Sequence, residues 1–202
     1  MAHHILEMPI SEEKARSLKI GDTVTLEQTL FGIRDATLIH MFDRGRKTKF
    51  DLHGHAVIHT APNVHRVPVS NEAPVGYTPF CIGTTTSMRM ERFTHDLMDR
   101  EGVRIIVGKG GMGRDTLAAL AKFGGAYLAI VGGAAALETT WIEQIVDIDM
   151  DDLHPESLWK FRIKNFGPLL VGMDSHGGSL YADLEKDVAG RRDAVLKGIG
   201  AM

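Results

Sequence analysis

The sequence predicts an α/β protein, a sheet layered with helices, and three observations carry that expectation. Short apolar runs of strand length, such as Val103–Val107 and Tyr127–Val131, alternate with amphipathic segments of helical period. The tightest glycine turns, at 108–113 and 132–133, follow those runs directly. The amphipathic run Arg114–Phe123 closes on Gly124 and Gly125, as helices commonly do. Strands and helices in alternation build a sheet covered by helices.

Along the chain, Ser11 is placed to cap a short polar helix over residues 11–17. Asp22–Thr29 alternates apolar and polar side chains as a half-buried strand does, and Phe31–Ile33 extends it or forms a second strand. Arg34-Asp35-Ala36 opens a helix through Met41–Phe42, with Asp35 suited to the positive end of its dipole. Arg44–Lys49 reads as a loop. Asp51–Pro62 reads as a strand, with Ala56, Ile58 and Thr60 on one face and His53, His55 and His59 on the other. Three imidazoles on one face are a metal-ligand pattern in principle, but a polar, solvent-facing strand surface is the expected reading. From Asn63 to Phe80, prolines and missing periodicity suggest loop. Met90, Phe93, Leu97 and Met98 recur at helical spacing and predict a packed face on the helix after Thr86. Ala134–Glu138 begins a short helix, and Glu143–Asp152 is an acidic strand edge and loop. Leu158–Ile163 and Leu169–Met173 read as two strands around a turn at Asn165–Pro168, and Tyr181–Gly198 is a terminal polar helix.

The 202 residues suit a single domain spanning 1–202. Hydrophobic residues at 44% and charged ones at 24% are ordinary globular values, and a mixed net charge of -3 gives no reason to expect nucleic acid or an anionic membrane. No apolar run approaches the roughly 20 residues a membrane span needs. The N-terminus lacks the layout of a signal peptide. The one cysteine, Cys81, excludes an internal disulfide, suits a cytoplasmic location, and cannot by itself build an iron–sulfur cluster or a thiolate zinc site.

Chemistry concentrates between Gly83 and Gly113, where two glycine-bearing turns each precede a predicted helix. Unpaired N–H groups and the dipole make each helix start a potential anion seat. The first turn offers Thr84, Thr85, Thr86 and Ser87. Arg89, one turn into the helix, leans back over the threonine hydroxyls. The second turn offers Lys109 flanked by glycines. Gly108–Gly113 also fits the dinucleotide pattern G-x-G-x-x-G, but the next strand ends in glycines instead of the ribose-binding acid, so a dinucleotide-binding domain is the weaker alternative. No Gly-Lys-Ser/Thr follows, so a P-loop is excluded.

The segments IRDA (33–36), GTTTSMRME (83–91), VGKGGMG (107–113), GGAYLAIVGGAAAL (124–137), PESLWKFRIKNFGPLLV (155–171) and DSHG (174–177), in that order, resemble the β subunit of two-subunit class I fumarate hydratases and of L(+)-tartrate dehydratase. This is the C-terminal domain of single-chain class I fumarases. The resemblance implies a swivelling β/β/α domain with a mixed sheet. It implies an iron–sulfur hydro-lyase that adds or removes water across a C4 dicarboxylate, fumarate/L-malate first and tartrate as the alternative. It also implies an α-subunit partner that supplies the cysteines of a 4Fe-4S cluster, in a hetero-oligomer such as α2β2. By motif, Thr85 matches the proposed catalytic base, Arg89 and Lys109 match cations that hold substrate carboxylates, and Arg34 matches a further substrate arginine. Arg34 comes from the resemblance alone. Thr84 stands where many members have proline, and Ser87–Met88 where some fumarases have Ala-Gly, which bears on substrate choice.

Overall fold

The computed structural model describes residues 1–131, 133 and 135–200. Among the described residues there are nine strands: β1 (His3–Glu7), β2 (Thr23–Ile33), β3 (Ala56–His59), β4 (Asn63–Arg66), β5 (Tyr77–Cys81), β6 (Ile105–Gly108), β7 (Ala126–Ala129), β8 (Ile142–Asp149) and β9 (Leu158–Met173). The α-helices are α1 (Glu12–Arg16), α2 (Asp35–Leu38), α3 (Thr94–Asp99), α4 (Arg114–Phe123), α5 (Ala135–Thr139) and α6 (Leu180–Gly198). A 3-10 segment, Ser87–Phe93, leads into α3, and a wide π turn, Ile39–Asp43, ends α2.

The expected mixed sheet layered with helices is present. Seven strands run in the order β1-β2-β3-β6-β7-β9-β8, with β1, β2, β3, β6 and β7 parallel to their neighbours and β9 antiparallel to β7, β8 and β2. The extra β2–β9 pairing closes β2, β3, β6, β7 and β9 on themselves, which removes two free edges. Alternate residues then fall into two separate cores. Leu30, Ile58, Val107, Leu128 and Phe161 fill the inside of the closed sheet. Their neighbours Phe31, Val57, Ile106 and Tyr127 point outward, under Met90, Leu97, Met98 and Leu120 of the helical layer. Both faces are buried, so these strands read as continuous apolar runs.

Ser11 caps α1 as expected, accepting from the Lys14 amide at 3.2 Å. Three expectations change. The Asp51–Pro62 strand shortens to β3, and of the three histidines expected to face solvent only His53, outside the strand, is exposed: His55 packs edge-on to Phe31 and His59 is buried. The proline-rich stretch holds the β4–β5 hairpin, where Pro79 sits in a two-stranded pair with no third strand to satisfy. The two strands expected on either side of Asn165–Pro168 are one strand, β9. Asn165 (φ 51°) bends it where the register against β2 slips, so the glycine-proline signal marks a bulge and not a turn. The expected turn at 132–133 and helix start at 134 touch Gly132 and Ala134, which lie outside the described residues. Among the described residues, no helix is long and apolar enough to cross a membrane.

Candidate active site

The parallel strands bring their C-terminal ends to one place. Arg34 follows the last residue of β2, His59 ends β3, and Lys109 follows the last residue of β6. The chain from Gly83 to Ser87 lies across those ends. Thr84 bridges Thr60, the Thr85 amide donates to the His59 carbonyl at 3.0 Å, Thr86 bridges Lys109, and the Ser87 amide donates to the Lys109 carbonyl at 3.1 Å. In α/β folds with parallel strands, whether the sheet is open or closed, ligands gather at this end. Backbone pairing therefore fixes Thr85 between strand ends instead of leaving it on a free loop.

Arg89 leans back as its helical position requires, and its Nη2 donates to Thr85 Oγ1 at 2.9 Å. The same guanidinium grips Asp35, Nε to Oδ1 at 3.2 Å and Nη2 to Oδ2 at 2.9 Å. Arg34 Nε reaches Asp35 Oδ2 at 3.2 Å and Glu156 Oε1 at 3.4 Å. Glu156 is itself anchored, accepting from the Ala36 amide at 2.8 Å and, through its carbonyl, from the Thr37 hydroxyl. Hydrogen bonding from Arg89, then from Arg34, holds the Asp35 carboxyl below its ordinary range against the opposing effect of burial.

Lys109 is half-buried, and among the described residues its ammonium has no hydrogen-bond or ion-pair partner. Its charge is felt by Glu138, a buried carboxylate that accepts from the Thr84 hydroxyl at 2.9 Å. Burial pushes the Glu138 carboxyl up, and Thr84 and Lys109 pull the other way. Burial likewise pushes the His59 imidazole down to about 4, with Asp35 opposing and Arg89 reinforcing. His59 is thus a neutral ring beneath the cations.

The structure joins Arg34, Thr85 and Arg89 through side chains and sets Lys109 beside them through the Thr86 bridge. Thr86 occupies the N-cap of the 3-10 segment without a side-chain hydrogen bond, and Thr85 turns to Arg89, so neither threonine caps a helix. One expectation fails, that of an anion seat at the second turn. The second turn has no open helix start, because the Glu91 carboxylate accepts from the amides of Gly113, Asp115 (3.0 Å) and Thr116 (3.1 Å). Its glycines serve packing. A Cβ on Gly108 would sit 1.8 Å from Ser87 Oγ, and one on Gly111 (φ 72°) would sit 2.6 Å from the Tyr181 ring. With Glu91 on the first helix amides, the second turn lacks the open N-terminus on which a dinucleotide pyrophosphate sits. Asp35, Glu138, His59 and Glu156 were not predicted for the site. Asp35, beside Arg34, and Glu156 stand within the segments that carry the resemblance, whereas His59 and Glu138 approach through tertiary packing.

The constellation of cations, a hydroxyl, one buried carboxylate and two half-buried ones at parallel strand ends belongs to an α/β protein. Residues 2–184 match the family model described as Fumarase C-terminus, and the chain belongs to that family. It is 37% identical to the L(+)-tartrate dehydratase subunit beta of Escherichia coli (strain K12), across 96% of this chain and 94% of that one. It is 38% identical to a putative fumarate hydratase class I of Geobacillus stearothermophilus, across 90% of this chain but 34% of that longer protein. It is 34% identical to a putative L(+)-tartrate dehydratase subunit beta of Methanocaldococcus jannaschii, across 89% of this chain and 91% of that one. Dehydratases and hydratases of these names are hydro-lyases.

Proposed function

We propose that this chain is the β subunit of a two-subunit hydro-lyase that hydrates and dehydrates a C4 dicarboxylate. Fumarate/L-malate is the first substrate pair. L(+)-tartrate is a second reading, favoured by the match to tartrate dehydratase β subunits over nearly their whole length. The observation that carries the proposal is the Thr85–Arg89 contact at the strand ends, with Arg34 and Lys109 beside it.

In this reading Arg34, Arg89 and Lys109 receive the substrate carboxylates, each contact worth roughly 1.5–3 kcal/mol. Thr85 takes the proton from the carbon next to the one that loses hydroxide. A free threonine hydroxyl is far too weak an acid to ionise at neutral pH. The Arg89 Nη2–H already directed at Oγ1 stabilises the oxyanion, and Lys109 adds positive potential nearby. A 4Fe-4S cluster would act as Lewis acid on the departing hydroxyl. The donor set of this chain does not fit such a group. Cys81 is its one cysteine, and the described His, Cys, Asp and Glu side chains form no metal-binding group. The cluster therefore falls to an α-subunit partner, in a complex such as α2β2 in the cytoplasm.

The test is to recover the partner by tagging this chain in its source cells, then assay the complex and the lone chain anaerobically on fumarate, L-malate and L(+)-tartrate. The expected result is turnover by the complex alone. Turnover by the lone chain, or none by the complex on any C4 dicarboxylate, would overturn the proposal.

A further inference from the structure

Arg34 and Arg89 come from different elements, the end of β2 and the 3-10 segment, yet both converge on one carboxylate. Asp35 accepts from Arg89 Nε at 3.2 Å and Nη2 at 2.9 Å, and from Arg34 Nε at 3.2 Å. A guanidinium carries one N–H on Nε and two on each Nη. On Arg89, Asp35 therefore uses the Nε edge, Thr85 uses the second Nη2 hydrogen, and among the described residues both Nη1 hydrogens have no acceptor. On Arg34, Asp35 and Glu156 both meet Nε, and among the described residues the two Nη groups have no partner. The carboxylate grips both arginines by their stems and leaves their tips free. A carboxylate merely standing in for substrate would sit on the tips.

We propose that Asp35 is a positioning residue, which aligns Arg34 and Arg89 for a dicarboxylate and keeps Arg89 on the Thr85 hydroxyl. The inference rests on the hydro-lyase reading for its substrate, but the bracing of the arginines is independent of it. Asp35 suits the role because its own backbone is fixed at the first residue of α2, beside the Glu156 anchor on Ala36. Its side chain is 28% exposed, so its pairs are partly shielded from solvent screening. A neutral amide of the same shape would keep the packing but could not hold two cations together.

Two arms test this. In the active complex, Asp35→Asn should raise KM for the dicarboxylate by roughly ten- to a hundredfold, with kcat changing less, and Asp35→Glu should recover part of the loss. A purely structural role would not produce that split or the rescue. In the second arm, purified wild-type and Asp35→Asn proteins are treated with phenylglyoxal, and Arg34 and Arg89 modification is followed by mass spectrometry. Both arginines should react several times faster in the variant, while Arg191 on α6 should not change. A lower KM for Asp35→Asn would make Asp35 a competitor of substrate and overturn the proposal, as would an unchanged KM. If the wild-type complex is inactive on every C4 dicarboxylate, the hydro-lyase reading fails, and the second arm alone decides the positioning role. Equal arginine reactivity in the two proteins would then overturn it.

Discussion

Gly83–Arg89 and Gly108–Gly113 each follow a strand, each carry glycine and a cation, and each lead toward a helix. In the first, the helix start is a 3-10 segment whose cap makes no side-chain hydrogen bond, and the side chains do the work: Thr84 on Glu138, Thr85 under Arg89. In the second, a true α-helix begins, and its first amides are already filled by Glu91. Helix amides act at short range, so the nearest packed carboxylate takes them. A glycine turn before a helix is therefore an anion seat only where no internal carboxylate reaches it. Here the first turn presents threonine hydroxyls and Arg89, and the second presents Lys109 on a closed frame.

The sharpest way to break that contrast is at Thr85. If its oxygen is the base, Thr85→Ala should lower kcat of the complex by about 10²–10⁴-fold with little change in KM. Thr85→Ser keeps the hydroxyl under Arg89 and should retain part of the activity. Because Thr85 caps no helix, its loss should cost no more than about 1 kcal/mol of stability, one exposed hydrogen bond. Near-normal turnover in the alanine variant would make the first turn as structural as the second.

Local pattern made much of this legible. It located the strands Val103–Val107 and Tyr127–Val131 and the helix Arg114–Phe123 to within a few residues, because the strands are buried on both faces and read as continuous apolar runs, while the helix follows period 3.6. The lean of Arg89 onto Thr85 also followed from helix geometry alone. Pairings distant in sequence were not legible. The β2–β9 closure joins residues such as Phe31 and Lys160, and nothing near either one announces it. Glu91 reached its amides across 22 residues, and so overruled the local signal of the second turn. Arg34 entered only through the family resemblance, since an arginine after a strand is ordinary until Asp35 is seen to tie it to Arg89.

A smaller effect should mark the second turn as frame. Glu91→Gln removes the charge that holds the amides of Gly113, Asp115 and Thr116 and leaves one amide oxygen to accept. Loss of such a cap should cost about 1–2 kcal/mol, read from urea unfolding of the variant. Turnover of the folded complex should stay within a few-fold of wild type. A kcat loss as deep as that of Thr85→Ala, with stability intact, would reopen the second turn as a site.

The gentlest probe is the pH dependence that His59 imposes beneath the first turn. Its folded pKa of about 4 lies below the ordinary value of 6.5, mainly because the buried ring cannot be charged without losing its hydration. Between those values the unfolded chain binds a proton that the folded chain refuses. Stability should therefore be highest above pH 6.5, fall as pH drops toward 4, and feel no further His59 effect below that. The slope from one such group is at most about 1.4 kcal/mol per pH unit. Asp35 has the same sign of effect at more acid pH, since its folded pKa is also depressed, so the two separate by pH window. Urea midpoints of wild type and His59→Gln, measured from pH 4 to 7, should converge toward the acid end as the wild type loses this contribution. Parallel curves would mean that the folded and unfolded chains bind the His59 proton equally, and below pH 6.5 the cations above it would then face a like charge instead of a neutral ring.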